Sequence, residues 1–105
     1  MDKTFGQKLQ ELRRSAGLSQ RDLAEQVGVD FSYISKVEND RLPPPAADTI
    51  VKICGVLSVP ADELLALTGK VPTNVREMLT SPSARQFMRQ AQEMNLTDQE
   101  WQTLV

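Results

Sequence analysis

The sequence predicts an all-α fold: five short helices in a first domain (1–69), a linker with a short helix (70–81), and a helical hairpin (82–105). Three observations lead there. Apolar residues recur at three- and four-residue spacing from Phe5 onward, the mark of helices with one buried face. The runs are bounded by Thr, Ser or Asp before them and by Gly, Asn or Pro after them, which are start and stop signals. Apolar and polar residues never alternate with period two over a strand's length.

The elements follow in order. Thr4 to Gln7 fits a capping box, and Phe5, Leu9, Leu12 and Ala16 form the first stripe, ended by Gly17. Leu18-Ser19 begins the second helix, with Ser19 as cap and Leu18 stapled to Leu23; it carries Leu23, Ala24 and Val27 inward and stops at Gly28. Val29-Asp30 repeats the device, with Val29 stapled to Ile34, and starts a third helix through Phe31, Ile34 and Val37 that ends near Asn39-Asp40. Arg41 to Pro45 is not helical, because prolines lack an N–H and push their predecessors toward extended backbone. Asp48 or Thr49 starts a fourth helix with Ile50, Val51, Ile53, Cys54 and Leu57 inward, and Pro60 opens a fifth, Ala61 to Leu67, burying Leu64, Leu65 and Leu67.

Beyond Gly69 the character changes. Thr73 caps a short helix from Asn74 to Leu79, and Ser81-Pro82 places proline at the first helical position, which it prefers. That helix ends at Asn95, and Leu96-Thr97-Asp98-Gln99-Glu100-Trp101 supplies a full capping box and staple for the last one.

Composition bounds the function. The chain of 105 residues is 40% hydrophobic and 25% charged, as for an ordinary globular protein. It has no membrane-length apolar run, no N-terminal signal pattern and a single cysteine, which fits a cytoplasmic protein without a disulfide framework. With no histidine and Cys54 flanked by apolar residues, there is no Cys/His nucleophile pair and no zinc cluster. Phosphate-binding glycine loops and nucleophile elbows are missing too. No enzyme, cofactor or metal is expected, and Cys54 reads as a small buried residue rather than a redox switch. The net charge is −2, and neither part is basic: residues 1–70 hold nine Lys/Arg against ten Asp/Glu, residues 71–105 three against four. Any nucleic-acid contact must rest on a local basic face.

The informative stretch runs from Leu18 to Glu38. Two short helices meet at Gly28, where a side chain would resist left-handed backbone, with small Ala24 at their crossing and Val27, Ile34 and Val37 in the wedge. This is the pattern of a helix-turn-helix. The segment resembles the Xre family, the Cro and repressor class of lambdoid phages, from Leu12 to about Leu65. The resemblance is carried by Leu18-Ser19-Gln20, Leu23-Ala24, Val27-Gly28-Val29, Ile34-Ser35, Glu38-Asn39 and Leu64-Leu65. Asp40 and Ser58 stand where members of the family usually have glycine.

The resemblance implies a five-helix, lambda-repressor-like domain whose second helix-turn-helix element enters the major groove of an operator. It implies that Gln20 holds a phosphate and braces that helix, that Phe31, Ser32 and Lys36 face the bases, that Tyr33 and Ser35 flank them, and that Arg41 reaches the backbone. Arg21 completes this DNA-binding set, and Arg13 and Glu38 form an internal ion pair. Chemically, Lys36 suits guanine, Ser32 pairs with several base edges, and Phe31 suits a thymine methyl. The bland alternatives are Phe31 as a core residue, Lys36 as a solvated charge and Gln20 as an ordinary first-turn residue.

The C-terminal segment resembles, more loosely, the helical hook of SinR-type regulators, through Phe87, Ala91, Asn95, Leu96, Thr97, Trp101 and Leu104. Two short helices do not bury Phe87, Met88, Ala91, Met94, Leu96, Trp101 and Leu104 by themselves. These residues pack either on the first domain or on a second copy, and the resemblance favours a homodimer. The expected function is a DNA-binding transcriptional regulator, a repressor on a palindromic double-stranded operator. A regulatory protein partner (antirepressor, protease or toxin) is a further expected contact, and no membrane is. The alternative is an antitoxin, or another interaction module, whose DNA binding is secondary.

Overall fold

The computed structural model describes residues 3–105, so the first two residues of the expected 1–69 domain lie outside it. The described residues form eight helices and no strand. They are α1 (Phe5–Ser15), α2 (Gln20–Val27), α3 (Phe31–Glu38), α4 (Ala47–Leu57), α5 (Asp62–Thr68), α6 (Thr73–Met78), α7 (Pro82–Met94) and α8 (Asp98–Leu104). The chain divides into two compact units, the first ending at Pro72 and the second running Thr73–Val105.

In the first unit, α1 packs on α3 and α5, α2 on α3 and α4, and α4 on α5. These pairings close a ring, α1–α3–α2–α4–α5, around one core. Leu9, Leu23, Ile34, Ile50, Ile53 and Leu64 are wholly buried there, so each of the five helices contributes at least one anchor. The Thr4–Gln7 capping box and the Ser19 cap are present as the sequence predicts, and the structure adds Asp22 to Ser19 as a second reciprocal box. Asp30 occupies the N-cap of α3 but its side chain makes no capping hydrogen bond; there the Val29 staple position, packed against the core, marks the start.

Four expectations are corrected. Val51 is exposed because the inward stripe of α4 is Ile50, Ile53, Cys54 and Leu57, and Val51 lies one residue, about 100° of helix rotation, away from Ile50. Leu67 is exposed as well: Leu64 and Leu65 make the apolar contact of α5 with the core, and Leu67 is left outside it in the last turn. Helix α4 starts at Ala47, after an N-cap Ala46 with no side-chain hydrogen bond, so neither Asp48 nor Thr49 sets its boundary. Ala16 is the C-cap of α1 and is exposed, not part of the stripe.

Asp40 and Ser58 both adopt left-handed backbone, each with φ 58°, so they take the conformation glycine would adopt more easily. Asp40 recovers some of that cost. Its carboxylate accepts from the Thr4 hydroxyl at 2.7 Å and from the Gly6 backbone N–H at 3.2 Å, tying the end of α3 to the first turn of α1. The approach is close enough that a Cβ on Gly6 would lie 2.5 Å from the carbonyl oxygens of Val37 and Glu38.

In the second unit, Ser81 caps α7 through the Ala84 N–H with Pro82 at the first position, Asn95 ends it in left-handed backbone, and Thr97 with Glu100 forms a capping box for α8. None of the residues of α6, α7 or α8 is buried.

Candidate nucleic-acid interface

The site is built on α2, the turn at Gly28 and α3. Gly28 takes φ 89° and its N–H returns to the Ala24 carbonyl at 2.8 Å, which ends α2 and turns the chain into α3 within three residues. Ala24, Val27, Ile34 and Val37 are buried between the two helices. That burial fixes the rotation of α3 about its own axis. With Ile34, Val37 and Glu38 inward, the opposite side presents Phe31, Ser32 and Lys36 to solvent, all exposed, flanked by half-buried Tyr33 and Ser35. Ser32 and Lys36 are four residues apart, so they stack one above the other on one face.

The helix is held from behind by a buried ionic network. Arg13 donates to both Glu38 oxygens, from Nε at 2.6 Å and Nη2 at 2.9 Å, and its Nη1 donates to the Leu18 carbonyl at 2.8 Å. The bidentate geometry is the strong form of such a pair. Gln20 Nε2 adds a third donor to Glu38 Oε1 at 2.9 Å. The ion pair that the family resemblance implied is therefore present, and it sits at the last residue of α3. Gln20 braces α3 through this contact, and an amide nitrogen carries a second donor for an outside acceptor.

Phe31 is not a core residue. It is 40% exposed, and the Arg21 guanidinium carbon stands 4.6 Å from the centre of its ring. Arg41 is exposed in the loop after α3, where its N–H donates to the Lys36 carbonyl at 2.8 Å. The structure thus groups Arg21 with Phe31 across the two helix starts, Ser32 with Lys36 on one face of α3, and Gln20 with Glu38 behind it.

Two supporting residues escape sequence reasoning. Lys70 Nζ donates to the carbonyls of Pro44 and Pro45, each at 2.9 Å, pinning the loop that carries Arg41. Asp40 latches α1, as described above. Both contacts span more than 20 residues, and no periodicity or cap pattern encodes partners that distant.

Burial pushes the Cys54 thiol up from its ordinary value, and the nearby Asp62 carboxylate adds to the effect. Among the described residues no group of three or more His, Cys, Asp or Glu could hold a metal, and no helix is long and apolar enough to cross a membrane.

Residues 9–64 match the helix-turn-helix family HTH_3. The chain belongs to that family. Within this helix-turn-helix chain the match begins at the buried Leu9 and ends at the buried Leu64, enclosing the whole ring of five helices' core anchors. It is 41% identical over 76 residues to RghRB of Bacillus subtilis, an uncharacterized HTH-type transcriptional regulator, covering 70% of this chain and 55% of RghRB. The chain spans about half the length of the curated relatives it matches. Among solved structures it is similar to SinR, the master regulator for biofilm formation, in complex with DNA: TM-score 0.56, 34% identity, 59% of this chain and 98% of that one. The complex of SinR with SinI aligns with 96% of this chain and 90% of its own, at 25% identity and TM-score 0.56.

In the second unit, the seven residues expected to dimerise lie together on two adjoining grooves. Met88, Ala91, Leu96 and Trp101 line one; Phe87, Ala91, Met94, Leu96, Trp101 and Leu104 line the other. Phe87 and Leu104 are each 64% exposed and Met94 59%.

Proposed function

We propose that the chain is a transcriptional regulator, a repressor that binds a palindromic operator as a homodimer. One observation carries the proposal: α3 is locked by Ile34, Val37 and the Arg13–Glu38–Gln20 network with Ser32 and Lys36 turned outward. A rigid helix with exposed polar tips is what base recognition in the major groove requires. Lys36 is assigned to guanine O6 and N7, Ser32 and Phe31 to neighbouring base edges, Tyr33 and Ser35 to their flanks, and Gln20, Arg21 and Arg41 to phosphates. The DNA complex of SinR, similar over the same region, supports this reading.

Dimerisation is assigned to the hairpin grooves around Ala91 and Trp101. An apolar face of that size on a short hairpin favours a covering partner, and a second copy supplies the two-fold symmetry that sets two recognition helices about 34 Å apart. It also doubles the phosphate contacts of a chain whose net charge is only −2. Repression then follows from occupancy of the operator.

Selection from a random duplex library, run for the wild type and Lys36→Ala at two salt concentrations, tests the proposal. The expected result is an enriched palindrome in which the variant loses roughly 1–3 kcal/mol and relaxes one position per half-site. Weak, salt-sensitive binding with no enriched sequence would refute it.

A second reading has one observation in its favour. A chain of the SinR–SinI complex aligns with nearly the whole of this chain, which supports a protein partner, with DNA binding secondary; the exposed apolar hairpin grooves are the surface we assign to it. A stoichiometric partner that co-purifies with the chain and survives replacement of Lys36 would favour it.

A further inference from the structure

We infer that Arg21 is a positioning residue for Phe31, and that the pair makes each half-site selective for a thymine methyl group at the base pair facing the start of α3. The inference rests on the DNA-binding reading above and adds the chemistry of one contact to it.

Phe31 is the first residue of α3, and its ring is substantially exposed. An exposed aromatic side chain ordinarily exchanges among its staggered rotamers. Here the Arg21 guanidinium lies over the ring, 4.6 Å from its centre, well within the range of a cation–π attraction. The two residues belong to the first turns of different helices, α2 and α3. Those helices are fixed against each other by Gly28 and by the buried Ala24, Val27 and Ile34. Both ends of the contact are therefore mounted on rigid elements, the condition under which a surface contact gains geometric meaning.

With one side of the ring taken by Arg21, Phe31 has a preferred orientation before DNA arrives. A phenyl ring neither donates nor accepts a hydrogen bond, so among the groups displayed in the major groove it favours the one apolar group, the C5 methyl of thymine. The guanidinium sits over the ring face and carries five N–H donors around its planar edge, which serve a phosphate oxygen as well. Lysine would keep the charge and lose that broad planar group. That difference separates a positioning role from a mere phosphate contact.

The test uses the full chain and its selected operator, with each thymine replaced in turn by uracil, which removes only the methyl group. For the wild type, one thymine per half-site is expected to matter, its loss weakening binding about fourfold, the worth of one buried methyl-sized group. The same uracil operator should bind Phe31→Ala no worse than the thymine operator does. Arg21→Lys should lose most of the thymine preference while keeping the wild-type dependence of affinity on salt, which reports the number of phosphate contacts. Thermal melting of both variants checks that they fold. A wild type that binds its operator but shows no thymine preference dependent on Phe31 overturns the inference, as does Arg21→Lys with that preference intact. Failure to enrich any operator would instead sink the DNA-binding reading, and this inference with it.

Discussion

The two units of the chain handle the same problem, short amphipathic helices, in opposite ways. The five helices before Pro72 bury an anchor each and close a ring around them, and even the one buried ionic pair, Arg13 with Glu38, is fully hydrogen-bonded. Of the three helices from Thr73 onward, α7 and α8 are at least as well capped, with a capping box, a proline at the first position of α7 and a left-handed Asn95, yet none of the three has a buried residue. Caps specify where a helix begins and ends; they do not supply a core. The lesson is that local signals of equal quality accompany a buried core in one place and exposed apolar side chains in the other.

The sharpest way to break the contrast is at the ionic network. Arg13→Ala leaves the Glu38 carboxylate buried with a single remaining donor, Gln20, and should destabilise the first unit by about 3–5 kcal/mol. Chemical denaturation would show this as a lowered midpoint, whereas Arg13→Ala with Glu38→Leu together should recover much of the loss. Next in size is the hairpin. If the proposed dimer forms through the hairpin, Phe87→Ala with Trp101→Ala should weaken self-association by roughly 2 kcal/mol or more, seen in sedimentation as a shift toward monomer relative to the wild type at the same concentration. The melting of the first unit should be unmoved. A dimer that tolerates both changes would remove the hairpin from the interface.

A smaller effect is expected at Gly6→Ala. The added Cβ meets backbone oxygens of Val37 and Glu38 at 2.5 Å, and backbone does not yield cheaply, so a loss of about 1–3 kcal/mol is expected. The smallest is chemical. The buried Cys54 thiol, its proton held more tightly than usual, should react with alkylating reagents only as fast as the domain opens. Because the folded state holds that proton more tightly, its contribution is intact below the thiol's ordinary 9.0 and is lost as pH rises through the folded value. Denaturation midpoints should therefore fall modestly on the alkaline side. Rapid labelling of the native chain near neutral pH would show that the core around α4 is open.

Most of the fold was legible because its signals are local. Gly28, Thr4 with Gln7, and Thr97 with Glu100 act within four residues of themselves, and most of the inward stripes follow from helical spacing alone. The errors came where one residue of rotation or one turn of length decides exposure, as at Val51 and Leu67. For the candidate site, sequence supplied the residue types and their positions on α3 but not their partners. That Gln20 donates to Glu38, that Arg21 covers Phe31, and that Lys70 pins Pro44 and Pro45 are relations between elements. No spacing rule reaches across them.

Asp40 bears on how far such regulators can be treated as interchangeable parts. Exchanging α3 for the equivalent helix of another chain looks like a simple graft, since the helix is only eight residues long. In this chain, however, the residue that follows the helix by two positions is hydrogen-bonded to Thr4 and Gly6. A transplanted segment ending in glycine would adopt the left-handed turn with less strain and would leave Thr4 and the Gly6 N–H without their acceptor. The transferable unit is therefore discontinuous: α3 with Asp40, together with the start of α1, to which Asp40 is bonded across more than 30 residues of chain.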